Sequence, residues 1–374
     1  MLKRAIARLV VILVATAFAL IGFEAFAHVI PAILPRAIQY ELGFVKARVV
    51  VDPSGDRMEE AINSFDGVVW HAQLDSHGFR RLGPSDSGGH PFALVLGDSM
   101  SFCWGVEASD CWVSQLQRRT GRTFVDFGLP GTGSLSHYDV LEAHLAAAGP
   151  KLVIWQFFLN DFHEDWERTR VSPQSPNSGA HRGAAAWLLD GHVFLQGHSA
   201  VYALIKFAKN RTAVVAMGGG LQYVLRPAWI YNLTHTYTDL SEPDVAAGFQ
   251  LSMESLEHAR QLTAKYGARF VVVVAPVKER VYWTRIRTLR VWPDGFDPGR
   301  ADQAILDFCR QHGIASIDLA DSLRAAGEVR PDLYFTFDDH WTPAGNDVVA
   351  NQLYDYLNRR GMLSLNSDSA PGPQ

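Results

Sequence analysis

The sequence is poor in the residues that announce a metalloprotein or a nucleic-acid binder. Three cysteines stand among 374 residues. None sits in a CxxC pair or beside a histidine, so no metal framework is expected, and nothing in the chain calls for a cofactor. Cys309 falls in a helical pattern and reads as core. Cys103 and Cys111 flank the turn-like stretch WGVEASD; a disulfide between them is possible in an oxidising compartment, and the spacing alone does not assign it. No basic cluster exceeds a few residues and the formal net charge is −5, which excludes the cationic face that nucleic acid demands. There is no internal repeat.

Charge is also missing from one long stretch. After Lys3, Arg4 and Arg8 the chain runs LVVILVATAFALIGF, Leu9 to Phe23, with no ionisable group before Glu24. Basic residues on the near flank keep the N-terminus of such a segment in the cytoplasm. Fifteen apolar residues fall between a signal-peptide core and a full span. Ala25-Phe26-Ala27 resembles a cleavage site, whereas Ala5–Ala7 and Val29–Leu34 lengthen the span if Glu24 lies at an interface. We read residues 1–35 as a retained single-pass anchor, with cleavage near Ala27 as the alternative. In both cases the remainder is exported.

The chain as a whole is 48% hydrophobic, enough to bury a large core. Five short runs, apolar on both faces, have the character of buried parallel strands: Phe92–Leu96, Thr123–Phe127, Leu152–Phe158, Arg269–Ala275 and Ala315–Leu319. Helical patterns lie between them, at Trp112–Arg119, Tyr138–Ala148, Val245–Tyr266 and Ala301–His312. A last helix opens with Thr342 as N-cap and Pro343 at its first position and runs to about Arg360. This alternation predicts a doubly wound, five-stranded parallel sheet flanked by helices in three layers. Residues 36–90 read as an extended, hairpin-like prelude, and 91–362 as the main domain. Within it, residues 162–243 are too long for a connection and read as a lid or binding insertion. That insertion holds SPQSPNSG and the amphipathic SAVYALIKFAK. Residues 363–374 read as a disordered tail.

In an open α/β sheet, ligands bind beyond the carboxyl ends of the strands. The residues found there are Gly97-Asp98-Ser99, then Gly128-Leu129-Pro130-Gly131, then Asn160-Asp161, and finally FDDHWTPAG with His340 before the last helix. Singly each is ordinary: a capped turn, a glycine turn, a strand exit, a solvated loop. Together and in this order they supply what acyl transfer needs. Ser99 is a nucleophile once a base takes its proton, and His340 is the base. Asp338 is the local acceptor that fixes the imidazole tautomer, with Asp339 its competitor. Backbone N–H groups at Ser99 and Gly131 and the Asn160 amide are donors of the kind an oxyanion requires. Alternation along an extended loop puts Asp338 and His340 on one side; Asp339 is then expected to face solvent or to cap the helix. His163 reads as a substrate or loop residue and His137 as structural.

These blocks resemble the SGNH, or GDSL-type, hydrolase superfamily over about residues 70–360, and in particular its membrane-anchored bacterial branch. Gly97-Asp98-Ser99 matches the block that carries the nucleophile. Asp126-Phe127-Gly128-Leu129-Pro130-Gly131 resembles the second, with Asp126 where an asparagine is usual, and Leu159-Asn160-Asp161 the third, with Leu159 in place of glycine. FDDHW resembles the last block in the D-x-H-W form of the anchored relatives; the more common acid position holds Phe337. Two further stretches are similar to those relatives, Asp75-Ser76-His77-Gly78-Phe79-Arg80 and Pro276-Val277-Lys278-Glu279-Arg280-Val281-Tyr282. Their default reading is a structural turn and a surface loop, with Lys278 a candidate contact for an anionic substrate.

The resemblance implies an exported serine esterase that removes a small acyl group, acetyl for preference, from an envelope carbohydrate or lipid through an acyl-serine. The rival is a transferase that passes the same acyl group to a sugar hydroxyl, with a membrane protein as acyl donor. In alginate-type acetyltransferases the Asp-His pair precedes the serine along the chain, whereas here it follows, which favours hydrolysis. A non-catalytic envelope-binding module is the third reading; such a module has no physical need for Ser99, Gly131, Asn160 and His340 together.

Overall fold

The computed structural model describes residues 2–44, 49–51, 57–62, 66–82, 90–170, 194–195 and 197–364. The SPQSPNSG loop and the tail read as disordered lie outside the described residues, apart from Leu363 and Ser364 at the start of that tail.

Helix α1 (Leu2–Val29) carries the apolar run. Its stretch Ile6–Val29 has a mean hydropathy of 2.5 and is long and apolar enough to cross a membrane. A short helix α2 (Arg36–Glu41) comes next. The prelude forms an antiparallel meander of β1 (Val49–Val51), β2 (Arg57–Ile62) and β3 (Val69–Leu74).

The main sheet comprises β4 (Ala93–Leu96), β5 (Phe124–Asp126), β6 (Leu152–Phe157), β9 (Arg269–Val274) and β10 (Ala315–Asp318), all parallel and in the order β10-β9-β6-β4-β5. Each strand lies within its predicted run. Leu94, Val95, Val153, Ile154, Val271 and Val272 are fully buried, as strands covered on both faces require. Helices α3 (Trp112–Thr120), α4 (Ser134–Ala148), α5 (Asp161–Arg170) and α8 (Pro243–Lys265) surround the sheet with α11 (Arg300–Gln311), α12 (Ala320–Val329) and α13 (Pro343–Arg359), and single turns α9 (Lys278–Val281) and α10 (Trp283–Ile286) follow β9. Helices α4, α5 and α8 pack together as one layer, and α3 and α12 pack on α13 in another. Thr342 caps α13, its Oγ1 accepting from the Gly345 N–H at 3.3 Å.

The insertion is not one loop. Its described part contains α6 (Ala200–Thr212), a hairpin of β7 (Val214–Ala216) with β8 (Gln222–Val224), and α7 (Pro227–Asn232), with a π-helical turn over Leu233–Tyr237. Helices α5 and α12 add to those the periodicity predicts. Asp161 and Glu164 in the first turn suit the α5 dipole, and the Asp318 carboxylate accepts from the Ala320 N–H at 2.9 Å to start α12. Cys103 and Cys111 are disulfide-bonded, their Cα atoms 5.4 Å apart. A spacing of eight residues leaves their distance open, and the tight turn of 99–111, with Cys103 in the left-handed region at φ 58°, brings them together.

Candidate active site

Strand order reverses between β4 and β6, so the crevice that opens at their carboxyl ends is where such a sheet binds ligands. Ser99 leaves β4 and Asn160 leaves β6 on the two sides of that crevice. Gly97 permits the turn, since a Cβ there would lie 2.3 Å from the Gln156 Oε1 atom. The Asp98 carboxylate accepts from the Met100 N–H at 2.8 Å, and the Asp98 N–H donates to Gln156 at 3.2 Å. This pins the backbone on both sides of Ser99.

Ser99 Oγ lies 2.8 Å from His340 Nε2. On the other side of the ring, His340 Nδ1 is hydrogen-bonded to Asp338 Oδ1, which also accepts from the His340 N–H at 2.8 Å. The expected alternation therefore places Asp338 and the imidazole face to face. Burial works against the imidazolium, but the charge and hydrogen bond of Asp338, aided by Asp98 and Asp339, hold His340 above the ordinary histidine value. Burial likewise opposes the Asp338 carboxylate, and His340 and Lys278 overcome it, keeping Asp338 well below the usual range.

These side chains line a cleft of about 310 Å³ together with Met100, Phe158, Asn160, Glu164, Arg226, Trp229, Tyr237 and Phe337. The Asn160 Oδ1 atom is buried without a partner. Gly131 is exposed in the loop after β5, at φ 71°, and is not among the residues lining the cleft. Among the described residues, no hydrogen bond takes up the backbone N–H of Ser99 or of Gly131.

Three expectations change. Asp339 neither faces solvent nor caps α13. Its carboxylate takes both Nη2 contacts from Arg226, at 2.8 and 2.9 Å, and an ion pair with Lys278 at 3.1 Å. Burial would raise its pKa, but these two cations hold it below the usual carboxylate value, and the capping role belongs to Thr342. Lys278 is not a substrate contact at the surface. It is 3% exposed and donates to the carbonyls of Thr336 and Asp338 at 3.3 and 3.0 Å. His163 is not in a loop; it lies in α5 and lines a cavity of about 370 Å³, beside the Ser99 cleft, with Trp166, Glu167 and His235. His235 and Glu242 of that lining, with Asp239, bring three potential ligand atoms within 4.8 Å of one another. His137 is buried, and burial pushes it down to about 3, in keeping with a structural role.

Several positioning residues escape sequence reasoning. From the insertion, Arg226 also donates to the Phe337 carbonyl at 3.2 Å. From the prelude, Asp66 accepts from the N–H groups of Thr336 and Phe337 at 2.9 and 3.1 Å. With Lys278 they clamp the acid–histidine loop from three separate segments. Arg80 does the same for the segment after Ser99: it is buried and donates to the carbonyls of Phe102, Cys103 and Val106 at 2.8, 2.7 and 2.6 Å. The signal is present in the two motifs that hold Arg80 and Lys278, whose partners only the fold reveals.

A parallel α/β sheet of this order, with a serine, a histidine and an aspartate in hydrogen-bonded sequence at its switch point, defines a class to which this chain is similar: the SGNH, or GDSL-type, hydrolase superfamily. Residues 225–370 match the family model described as the SGNH hydrolase-like domain of the acetyltransferase AlgX. That segment carries Asp338 and His340 but not Ser99. No curated protein matches the chain. Among solved structures it is similar to a G-D-S-L family lipolytic protein from Desulfitobacterium hafniense (11% identity, 71% of this chain and 98% of that one, TM-score 0.40). It is also similar to the psychrotrophic esterase EstA from Pseudoalteromonas sp. (12% identity, 72% and 97%, TM-score 0.39).

Proposed function

We propose that this chain is a serine esterase that removes a small acyl group, acetyl for preference, from an envelope carbohydrate or lipid. The observation that carries the reading is the relay from Ser99 Oγ to His340 Nε2 at 2.8 Å and on to Asp338. In the reaction, the Ser99 oxygen attacks the ester carbonyl carbon while its proton passes to His340 Nε2. The Asn160 amide and the backbone N–H of Ser99 receive the oxyanion; the Gly131 N–H, in the exposed loop after β5, joins them only if that loop closes on the bound substrate. Collapse breaks the ester C–O bond, and His340 returns the proton to the departing alcohol. Water then repeats the sequence on acyl-Ser99, releasing the acid. A cleft of about 310 Å³ is at the small end of ligand sites, which suits a short acyl group. The walls Trp229, Tyr237 and Phe337 suit a sugar ring. The domain stands outside the cytoplasm, anchored by α1.

The match to an acetyltransferase domain favours one second reading, in which a sugar hydroxyl replaces water in the final step. A fluorophosphonate probe and p-nitrophenyl acetate test both. Labelling and turnover should vanish in Ser99→Ala, and labelling that persists there overturns the serine mechanism. Added sugar acceptor that yields acylated sugar at the expense of free acetate selects the transferase.

A further inference from the structure

The apolar helix α1 contains a single carboxylate, Glu24. Its burden is severe if α1 lies in a bilayer, because an unpaired charge there is costly. In the structure it has a full set of partners from the insertion. Glu24 Oε1 accepts from the Ala200 N–H at 2.8 Å, and Oε2 from the Val201 N–H at 2.9 Å and the Ser199 Oγ at 3.0 Å. Ala200 and Val201 open α6, so Glu24 sits on the positive end of that helix and satisfies N–H groups that have no partner within it.

The junction is packed as well as charged. Ala27 of α1, Leu34 and Ile38 beyond it, and Ala200 and Ala203 of α6 form one buried cluster. Lys206 of α6 pairs with Glu41 of α2 at 2.9 Å. At its other end α6 reaches the active site. The Arg211 guanidinium lies 4.6 Å from the Phe207 ring centroid and 5.5 Å from that of Phe337, and Phe337 lines the Ser99 cleft. The 13 residues of α6 span about 20 Å at 1.5 Å per residue.

We propose that α6 is a strut: Glu24 fixes its N-terminus to a retained α1, and its length, about 20 Å, sets the distance of the Ser99 cleft from the membrane surface. The enzyme then acts on acyl esters that are themselves displayed at the bilayer, on a lipid-linked carrier. This rests on the esterase reading for its substrate, but the docking of α6 on α1 stands apart from it. Removal of α1 after Ala27 would strip α6 of Glu24 and Ala27 together, so the docked protein is the uncleaved one.

The test uses the full chain in lipid nanodiscs, wild type against Glu24→Leu, which leaves α1 apolar and its anchoring intact. Amide exchange at Ala200 and Val201 should be slow in the wild type and at least tenfold faster in the variant. Equal exchange overturns the strut whatever the enzyme's activity. Turnover of p-nitrophenyl acetate should be the same in both proteins, while turnover of an acetyl ester tethered to a vesicle lipid should fall at least fivefold in Glu24→Leu. An equal rate on the tethered ester removes the membrane-surface substrate. Absence of Ser99-dependent turnover in the wild type defeats the esterase reading alone. Intact mass of the protein extracted from membranes should include residues 1–27, and a mature chain that begins after Ala27 also overturns the proposal.

Discussion

Replacing Asp338 with asparagine tests the heart of the site with a change of one atom. In the wild type the Asp338 carboxylate can only accept, so it holds a proton on His340 Nδ1 and leaves Nε2 free to take the proton of Ser99, 2.8 Å away. An amide in its place turns an N–H₂ donor towards Nδ1 and favours the opposite tautomer, with Nε2 already protonated. Asp339 cannot substitute, because Arg226 and Lys278 hold its carboxylate. The strongest precedent for such a loss is about four orders of magnitude in kcat, or about 5.5 kcal/mol of barrier. We expect a fall of roughly 10³ to 10⁴ in kcat on p-nitrophenyl acetate with KM within about threefold. The pH profile should move too. In the proposed mechanism neutral His340 is the active form, and its pKa is raised, so wild-type activity should fail on acidification at a higher pH than an ordinary histidine would dictate. Removing the charge of Asp338 moves that acid limb down. A variant that keeps more than a tenth of the wild-type kcat, or an Asp339→Asn variant that is folded yet loses more, refutes the assignment of Asp338.

The other expectations address the surroundings. Asn160→Ala should lower kcat by about two to three orders of magnitude with little change in KM; a change confined to KM in steady-state kinetics makes Asn160 a binding residue instead. Lys278→Met leaves a buried carboxylate with one cation fewer, a loss typically of about 3–5 kcal/mol, so calorimetry should show a melting temperature lower by several degrees, and an unchanged one refutes the clamp. Asp126 is buried, and burial, against its hydrogen bond from Gly128 and the charge of Arg80, pushes its carboxyl up to about 7. The folded protein therefore binds a proton that the unfolded chain has lost, and the wild type loses stability as pH rises towards 7. At about 1.4 kcal/mol per pH unit, the stability of Asp126→Asn relative to wild type should grow by up to about 4 kcal/mol between about pH 4 and pH 8, as read from urea unfolding; a difference that is flat with pH refutes the buried proton.

Much of the fold is legible in the chain because the physics that sets it is local. Strands covered on both faces must be short and apolar throughout, and runs such as Leu152–Phe157 and Arg269–Val274 show that directly. The start of α13 is equally plain, since a threonine followed by proline both caps and pre-organises a helix. Local logic also reaches the contact between Asp338 and His340: two residues apart on an extended loop, they share a side whatever the rest of the chain does. Residues beyond strand ends converge by the topology of the sheet, which is why Ser99, Asn160 and His340 can be named without sight of a contact.

The remainder depends on residues far apart in the chain. Alternation along the loop points Asp339 to solvent, but Arg226, 113 positions away, arrives from an insertion whose path no periodicity describes. Lys278 and Arg80 carry charges that composition assigns to solvent; each is buried because a ring of backbone carbonyls turned inward by a loop needs a donor. Cys103 and Cys111 have a spacing compatible with bonded or free thiols, and only the turn between them decides. The apolar run of α1 is legible from composition alone as a helix long enough to cross a membrane, while the partner of Glu24 is invisible there: residues 199–201 lie 175 or more positions on. Chain-local energetics determined the strands, the caps and which residues are proposed to react; long-range electrostatics, the satisfaction of buried polar groups, decided what holds them in place.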